Sequence, residues 1–264
     1  MDLRIIHDLN KVYAFLKNKT RYDYIYQLNN LSVSQWGNVV CYGLVDGDVL
    51  KEIVMTNINY HIPVLLSASF NNVNQSAELV ERIKMYLPVK FYTHMDRSTL
   101  EKVFPSEEIS DLEEYVNMGL EDHHELSKSQ TAEVVRLGYQ DLNDIRLLIS
   151  ISYPEAWLDD ELLKLKENFG IYVDGKLVSF AGIHAYSESY HVAAIAHVTT
   201  HPEYRNRGYA QQVVGALAGS LQKKIKYIGL NVKTDNIEAL KCYRKLGFKE
   251  FGKFVACQID NNRY

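Results

Sequence analysis

The chain has 264 residues, 47% hydrophobic and 23% charged, with a formal net charge of −4. This is the profile of one large or two small globular domains and excludes disordered and fibrous classes. No apolar run reaches the ~20 residues of a membrane span, and charged residues interrupt every short apolar run after Met1, so neither membrane insertion nor a secretory leader is expected. Three scattered cysteines (Cys41, Cys242, Cys257) lack metal-site spacing, which fits a reducing, cytoplasmic setting with no bound metal. The charge is uneven. Residues 205–264 carry 12 Lys/Arg against 4 Asp/Glu, and the preceding residues carry 17 against 29. A basic C-terminal segment suits a phosphate-bearing ligand.

In chain order, residues 2–18 carry Leu3, Ile6, Leu9, Val12, Tyr13 and Leu16 at mixed three- and four-residue spacing, which predicts a helix. Residues 22–31 are ambiguous, with a second helix as one reading. Asn38–Val45 and Asp48–Thr56 are β-rich runs joined by Asp46-Gly47, a type I′ hairpin signal. Pro63–Phe70 predicts a strand, Asn74–Leu87 an amphipathic helix and Val89–Thr93 a strand. Asp96–Val103 predicts a short helix capped by Asp96, and Ser110–Met118 a further strand. Residues 119–130 read as a polar linker. His123 and His124 there, among acidic neighbours, fit a solvated connector better than a metal site.

The second half then restarts. It predicts a strand at Thr131–Leu137, a helix at Asp141–Ile149, an aromatic turn at Tyr153–Trp157 and a helix at Leu158–Glu167. Ile171–Val173 and Leu177–Tyr186 flank Asp174-Gly175, a second type I′ signal. Ser189–Thr200 is a β-branched, apolar strand that ends at Pro202. Arg205-Asn206-Arg207-Gly208 forms a basic turn, and Tyr209, Ala210, Val213, Val214, Leu217, Ala218 and Leu221 then recur at helical spacing. Lys226–Lys233 predicts a strand. Asp235, with Glu238 three residues on, predicts a capped helix to Leu246. Gly247 supplies a left-handed C-terminal position, and Phe248–Ile259 is the last strand. A strand feeding a glycine-containing basic turn that opens a helix is an anion site, because the first-turn N–H groups and the dipole face the ligand.

Arg205-x-x-Gly208-x-Ala210, preceded by Pro202-Glu203-Tyr204, resembles the acetyl-CoA pyrophosphate loop of the GNAT superfamily of N-acetyltransferases. Asn231-Val232, Asn236, Ala239 and Tyr243-x-x-Leu246-Gly247-Phe248 match its second motif. The resemblance covers about residues 131–259. It implies an α/β protein with a GNAT fold, a mixed central sheet flanked by helices, at residues 131–264. Residues 1–125 form an N-terminal α/β domain. Both halves contain a Val-Asp-Gly hairpin followed by a similar element order, so the first half reads as a degenerate GNAT-like repeat. At the turn matching Arg205–Ala210 it has Phe70-Asn71-Asn72-Val73-Asn74-Gln75, without arginine or glycine, so one cofactor site is expected. Two-domain proteins resembling glycine N-acyltransferases have such a layout.

The resemblance also implies a chemistry. Backbone groups of Val198, Thr199 and Thr200 would hold the pantetheine arm of coenzyme A. Arg205, Asn206, Arg207, Gly208, Tyr209 and Ala210 would hold the pyrophosphate, and Asn231 and Asn236 would add polar contacts. Tyr243 matches the tyrosine that protonates the leaving thiolate, a role its ordinary pKa near ~10 permits. Many members place a glutamate base four residues before the first pantetheine contact, where this chain has Ala194. His197 is a catalytic candidate, although strand alternation should turn it away from the face shared by Ala194, Ala196 and Val198. His184 and His191 are weaker candidates, and His201 reads as loop surface. The expected activity is acetyl transfer from acetyl-CoA to a primary amine of a small molecule, amino acid or peptide. Tyr153, Trp157, Tyr186 and Tyr190 fit either its acceptor side or ordinary packing. A non-catalytic acyl-CoA sensor or partner-binding module is the alternative. Nucleic acid would suit the basic segment, but no nucleic-acid motif accompanies it. A homodimer is left open.

Overall fold

The computed structural model describes the chain except residues 18, 20, 68–71, 122–131, 155, 157, 159, 166 and 262–264. His123, His124, Phe70, Asn71 and Trp157 therefore lie outside the described residues. Two compact units emerge: Met1–Asn117 with Phe251–Tyr264, and Met118–Glu250. The last strand belongs mostly to the first unit.

The first unit begins with strand β1 (Asp2–Ile5) and helix α1 (Leu9–Leu16), in place of the one continuous helix that the spacing predicts. Asp2–Ile5 pairs antiparallel with Tyr42–Val45. Asp8 then ends the extended segment, its carboxylate accepting from the Asn10 and Lys11 N–H groups at 2.9 and 3.3 Å. Helices α2 (Ile25–Asn30) and α3 (Val33–Trp36) follow. Strands β2 (Val39–Asp46) and β3 (Val49–Asn57) form the hairpin. Asp46 pairs with Val49, so the central residues are Gly47 and Asp48, and Gly47 alone has positive φ. That is the requirement of a type II′ turn, not of the expected I′.

Strand β4 (Val64–Ser67), helix α4 (Val73–Ile83), strand β5 (Lys90–Met95) and helix α5 (Arg97–Val103) follow the hairpin. The Asp96 cap accepts from the Ser98 and Thr99 N–H groups at 2.8 and 3.3 Å. Strand β6 is Ile109–Leu120. β4 and β5 are parallel. The far side of β5 pairs antiparallel with Val255–Asp260 of the final strand, which brings Phe91 opposite Ile259 and Met95 opposite Val255. Leu79, Val80, Ile83, Phe91, Met95 and Leu100 pack with Val255, Cys257 and Ile259 in one buried cluster.

The second unit contains the last residues of β6 (Met118–Leu120). It continues with β7 (Val135–Arg136), α6 (Leu142–Ser152), β8 (Phe169–Val173), β9 (Lys176–Ser187) and β10 (Val192–Thr200). Helix α7 (Tyr209–Leu221), β11 (Tyr227–Lys233), α8 (Ile237–Lys245) and β12 (Phe248–Asp260) complete it, β12 from Phe251 onward lying in the first unit. The expected helix at Leu158–Glu167 is a 3-10 segment, Asp160–Leu165. Asp174 and Gly175 both have positive φ between paired Val173 and Lys176, the predicted I′ turn. Asn236, not Asp235, caps α8, its Oδ1 accepting from Ala239 N–H at 3.1 Å. Asp141 is the N-cap of α6 but makes no side-chain capping bond to it, serving the preceding 3-10 turn Tyr139–Asp141. Its carboxylate instead accepts from Gly138 N–H at 2.8 Å.

The two halves repeat one order: three antiparallel strands, a helix, a strand parallel to the third, a helix and a final strand. A chain ending at Glu250 should lose the partner of Lys90–Met95 and uncover Phe91. Losing the buried Val255 and Ile259 side chains alone removes roughly 1.5–3 kcal/mol each. Such a chain should sediment with the insoluble fraction of a lysate while the full chain stays in the supernatant.

Candidate active site

The site is built on β10 and on the turn and helix that come after it. Val192–Ile195 pairs in parallel with Tyr227–Leu230. Among the described residues that pairing ends at Ile195 and Leu230, although both strands continue. The backbone of Ala196 to Val198 and the residue after Leu230, Asn231, therefore face a parting between two strands. An extended ligand with amide groups can add to such an unpaired strand edge.

The opposite edge of β10 is irregular. Ala196 pairs with Gly182 and Thr199 with Phe180, so His197 and Val198 together face one residue. This is a β-bulge, and His197 occupies it at φ 54°, an uncommon conformation for a residue with a Cβ. On β9, Ala185 pairs with Ala194 and Ile183 with Ile195, which leaves His184 as the extra residue of a second bulge. Strand alternation, which predicts that His197 turns away from the face of Ala194, Ala196 and Val198, does not hold through this segment. The rings of His184 and His197 meet edge to face with centroids 5.9 Å apart. Nε2 of His197 is buried without a hydrogen-bond partner among the described residues. Burial, with His184 beside it, pushes the His197 pKa down to about 4. Ala194 is buried and offers no proton acceptor.

Beyond β10, Thr199 is buried and Thr200 partly exposed. Ser179 Oγ lies 2.9 Å from Thr200 Oγ1 and donates to Thr199 O at 3.3 Å. His201, expected as plain loop surface, holds the turn Pro202–Tyr204, its Nδ1 accepting from Glu203 N–H at 3.3 Å. Arg205 Nε donates to Thr200 O at 3.2 Å. Arg207 donates to Glu203 O at 3.3 Å, and its guanidinium lies 4.9 Å from the Tyr204 ring centroid. Both arginines, Asn206 and Gly208 are exposed, and Tyr209 and Ala210 are partly so. Asn206 and Gly208 take φ of 62° and 76°, and Gly208 is the N-cap of α7.

With no cap side chain, nothing of Gly208 covers the first-turn N–H groups, which point outward beside two cations. Pyrophosphate oxygens fit that donor set. Gln212, which no sequence signal marks, ties the turn down. Its Nε2 donates to Gly208 O at 3.5 Å and its Oε1 accepts from Ala132 N–H at 2.9 Å. At the matching place in the first half, Asn72 caps α4 and accepts from Gln75 N–H at 3.3 Å, so a side chain occupies a donor that the second half leaves open.

Tyr243 lies on α8, buried, edge to face with Phe248 at 6.0 Å. Burial, with Cys242 and Tyr153 close by, raises its hydroxyl above the ordinary tyrosine range. The same burial pushes the Cys242 thiol up to about 11. Tyr153 is thus near Tyr243, whereas Tyr186 is occupied with Glu188, to which it donates at 2.7 Å. Among the described residues no cluster of acidic, histidine or cysteine side chains could hold a metal. No helix there is long and apolar enough to cross a membrane.

The bare helix cap carries a testable cost. Gly208→Ala should destabilise the protein by about 1–2 kcal/mol, the cost of a Cβ in a left-handed conformation, read as a lower urea midpoint with an unchanged slope.

Comparison with known proteins agrees with this geometry. The acetyltransferase (GNAT) family matches residues 140–248. No curated protein matches the sequence. Among solved structures, a GNAT-family acetyltransferase of Novosphingobium aromaticivorans has a TM-score of 0.60 at 17% identity, covering 87% of this chain and 94% of its own. A Drosophila protein reaches 0.71 at 10% identity, covering 98% and 99%. A tandem GNAT protein of the clavulanic acid biosynthesis pathway reaches 0.59 at 10% identity, covering the whole of both chains. These likenesses concern the fold and extend over nearly the whole chain. Residues 140–248 are a GNAT acetyltransferase domain, carried by a mixed α/β chain with a GNAT fold.

Proposed function

We propose that the second unit transfers an acetyl group from acetyl-CoA to a primary amine of a small molecule, amino acid or peptide. The observation that carries this reading is the parting of β10 and β11 after Ile195 and Leu230, directly before an exposed basic turn capped by glycine. Ala196–Thr200 would hold the pantetheine arm through backbone groups. Arg205–Ala210 would hold the pyrophosphate, and Asn231 and the Nδ2 of Asn236 would add polar contacts. Acetyl-CoA, when bound, supplies the thioester carbonyl that an amine attacks. A backbone N–H near Val198 can donate a hydrogen bond to that oxygen as negative charge develops on it. Tyr243 protonates the leaving sulfur, since its raised pKa keeps the hydroxyl protonated throughout the neutral range. The layout of two halves with one cofactor site also fits proteins resembling glycine N-acyltransferases.

The test is release of free thiol from acetyl-CoA with a panel of amines: glycine, lysine, 2-phenylethylamine and a tripeptide with a free N-terminus. Turnover with one or more supports the reading. Acetyl-CoA binding with no transfer to any amine would favour the sensor that Ala194, in place of a glutamate base, makes conceivable. Tyr243→Phe should lower kcat about a hundredfold, within the usual span of general acid catalysis, and leave acetyl-CoA affinity within about twofold. Because the Tyr243 pKa is raised, its donor form is lost only above the ordinary tyrosine value near ~10. The tyrosine-dependent part of kcat should therefore stay level as pH rises through that range.

A further inference from the structure

We propose that His197 accepts the proton of the attacking amine and that His184 passes it toward solvent. The proposal rests on the acyl-transfer reading and fills the role that Ala194 cannot. Three observations carry it. Two bulges on neighbouring strands place both histidines where regular alternation would not, with the rings in contact. His197 holds φ 54°, a conformation that costs free energy at a non-glycine residue and belongs to the strained kinds that cluster at functional sites. Its Nε2 is buried without a partner, and a buried polar atom left unpaired in the free protein awaits one from a ligand or water. It also lies in the segment of β10 whose outer edge has parted from β11, one residue from Val198.

A second orphan lies near. Asn168 is buried with Nδ2 unpartnered. Its Oδ1 would sit 2.8 Å from a Cβ at Gly182, the residue opposite Ala196. His197 Nε2 and Asn168 Nδ2 are thus both buried polar atoms without a partner among the described residues, carried on or beside the paired strands β9 and β10.

Burial keeps the His197 imidazole neutral at neutral pH, so its ring offers a lone pair, and its low proton affinity favours passing a proton on. The ring centroids are too far apart for a direct nitrogen–nitrogen bond, so one water completes the path to His184. The step balances. The amine lone pair forms the C–N bond and the C–S bond breaks. The proton lost by nitrogen goes to His197 Nε2, and the sulfur takes one from Tyr243, which regains it from solvent. The net change is amine plus thioester to amide plus thiol.

The experiment uses the full chain. His197→Gly suits the left-handed backbone of the bulge and leaves a hole for added imidazole. It should lower kcat about a hundredfold or more, keep acetyl-CoA affinity within about twofold, and regain turnover when imidazole is added. His197→Asn, also tolerant of that backbone, should lose turnover without such rescue, and His184→Gln should lose less than either. In protein carrying isotope-labelled histidine, adding the best amine of the panel should move the His197 Nε2 resonance without any acetyl-CoA. A His197→Gly protein with wild-type kcat, or one whose lost turnover imidazole does not raise while the resonance stays still, overturns the proposal and leaves the acyl-transfer reading standing. A wild-type protein that transfers acetyl to no amine overturns both.

Discussion

The site depends on one failure of pairing. Two parallel strands hydrogen-bond for four residues, Val192–Ile195 with Tyr227–Leu230, and then part. A backbone whose polar groups lose their partner must find another, because an unpaired buried amide is costly. The parting is local because β10 stays attached to β9 on its other edge, through Thr199 and Thr200 after the bulge. The bulge absorbs the change in strand direction, and His197 carries the resulting strain. Open strand edge, left-handed histidine and helix cap follow one another along the end of β10.

The same scaffold in the first half has taken a different course. Its parallel pair β4 and β5 and its helix α4 stand in the same order, but the helix begins on Asn72, whose side chain satisfies its own first turn. Ser67, at the end of β4, is buried and engaged with Ser76 at 3.0 Å and, through its carbonyl, with Gln27 at 2.9 Å. Polar groups that a nucleotide would need are spent on the protein itself. Carboxamide and hydroxyl side chains here satisfy groups that the second half leaves exposed at Gly208.

Much of this is legible without coordinates. The Asp174-Gly175 turn, the Asp96 cap, the left-handed Gly247 and the strand–turn–helix around Gly208 are set by local chemistry, which a sequence displays directly. The resemblance around Arg205–Ala210 and Tyr243–Phe248 falls within residues 140–248, which match the GNAT family. What escapes is non-local. β1 reads as helix because Leu3 and Ile6 fit a helical spacing, and only the partner strand, some forty residues away, makes the segment extended. The hairpin at Gly47 shifts by one residue because register belongs to the pair, not to the turn dipeptide. The meeting of His184 with His197 is invisible for a related reason. Bulges are decided by how two strands and a helix fit together, and alternation, the rule available from sequence, is the rule a bulge breaks.

The path of the C-terminal strand bears on how this protein can come apart. Each unit has its own core, and two cores ordinarily permit stepwise loss of structure, one body melting while the other persists. Here the strand that seals the first core is the direct continuation of Phe248, which is buried in the second unit beside Tyr243. One strand, Phe248–Asp260, thus runs without a break from the second unit into the first.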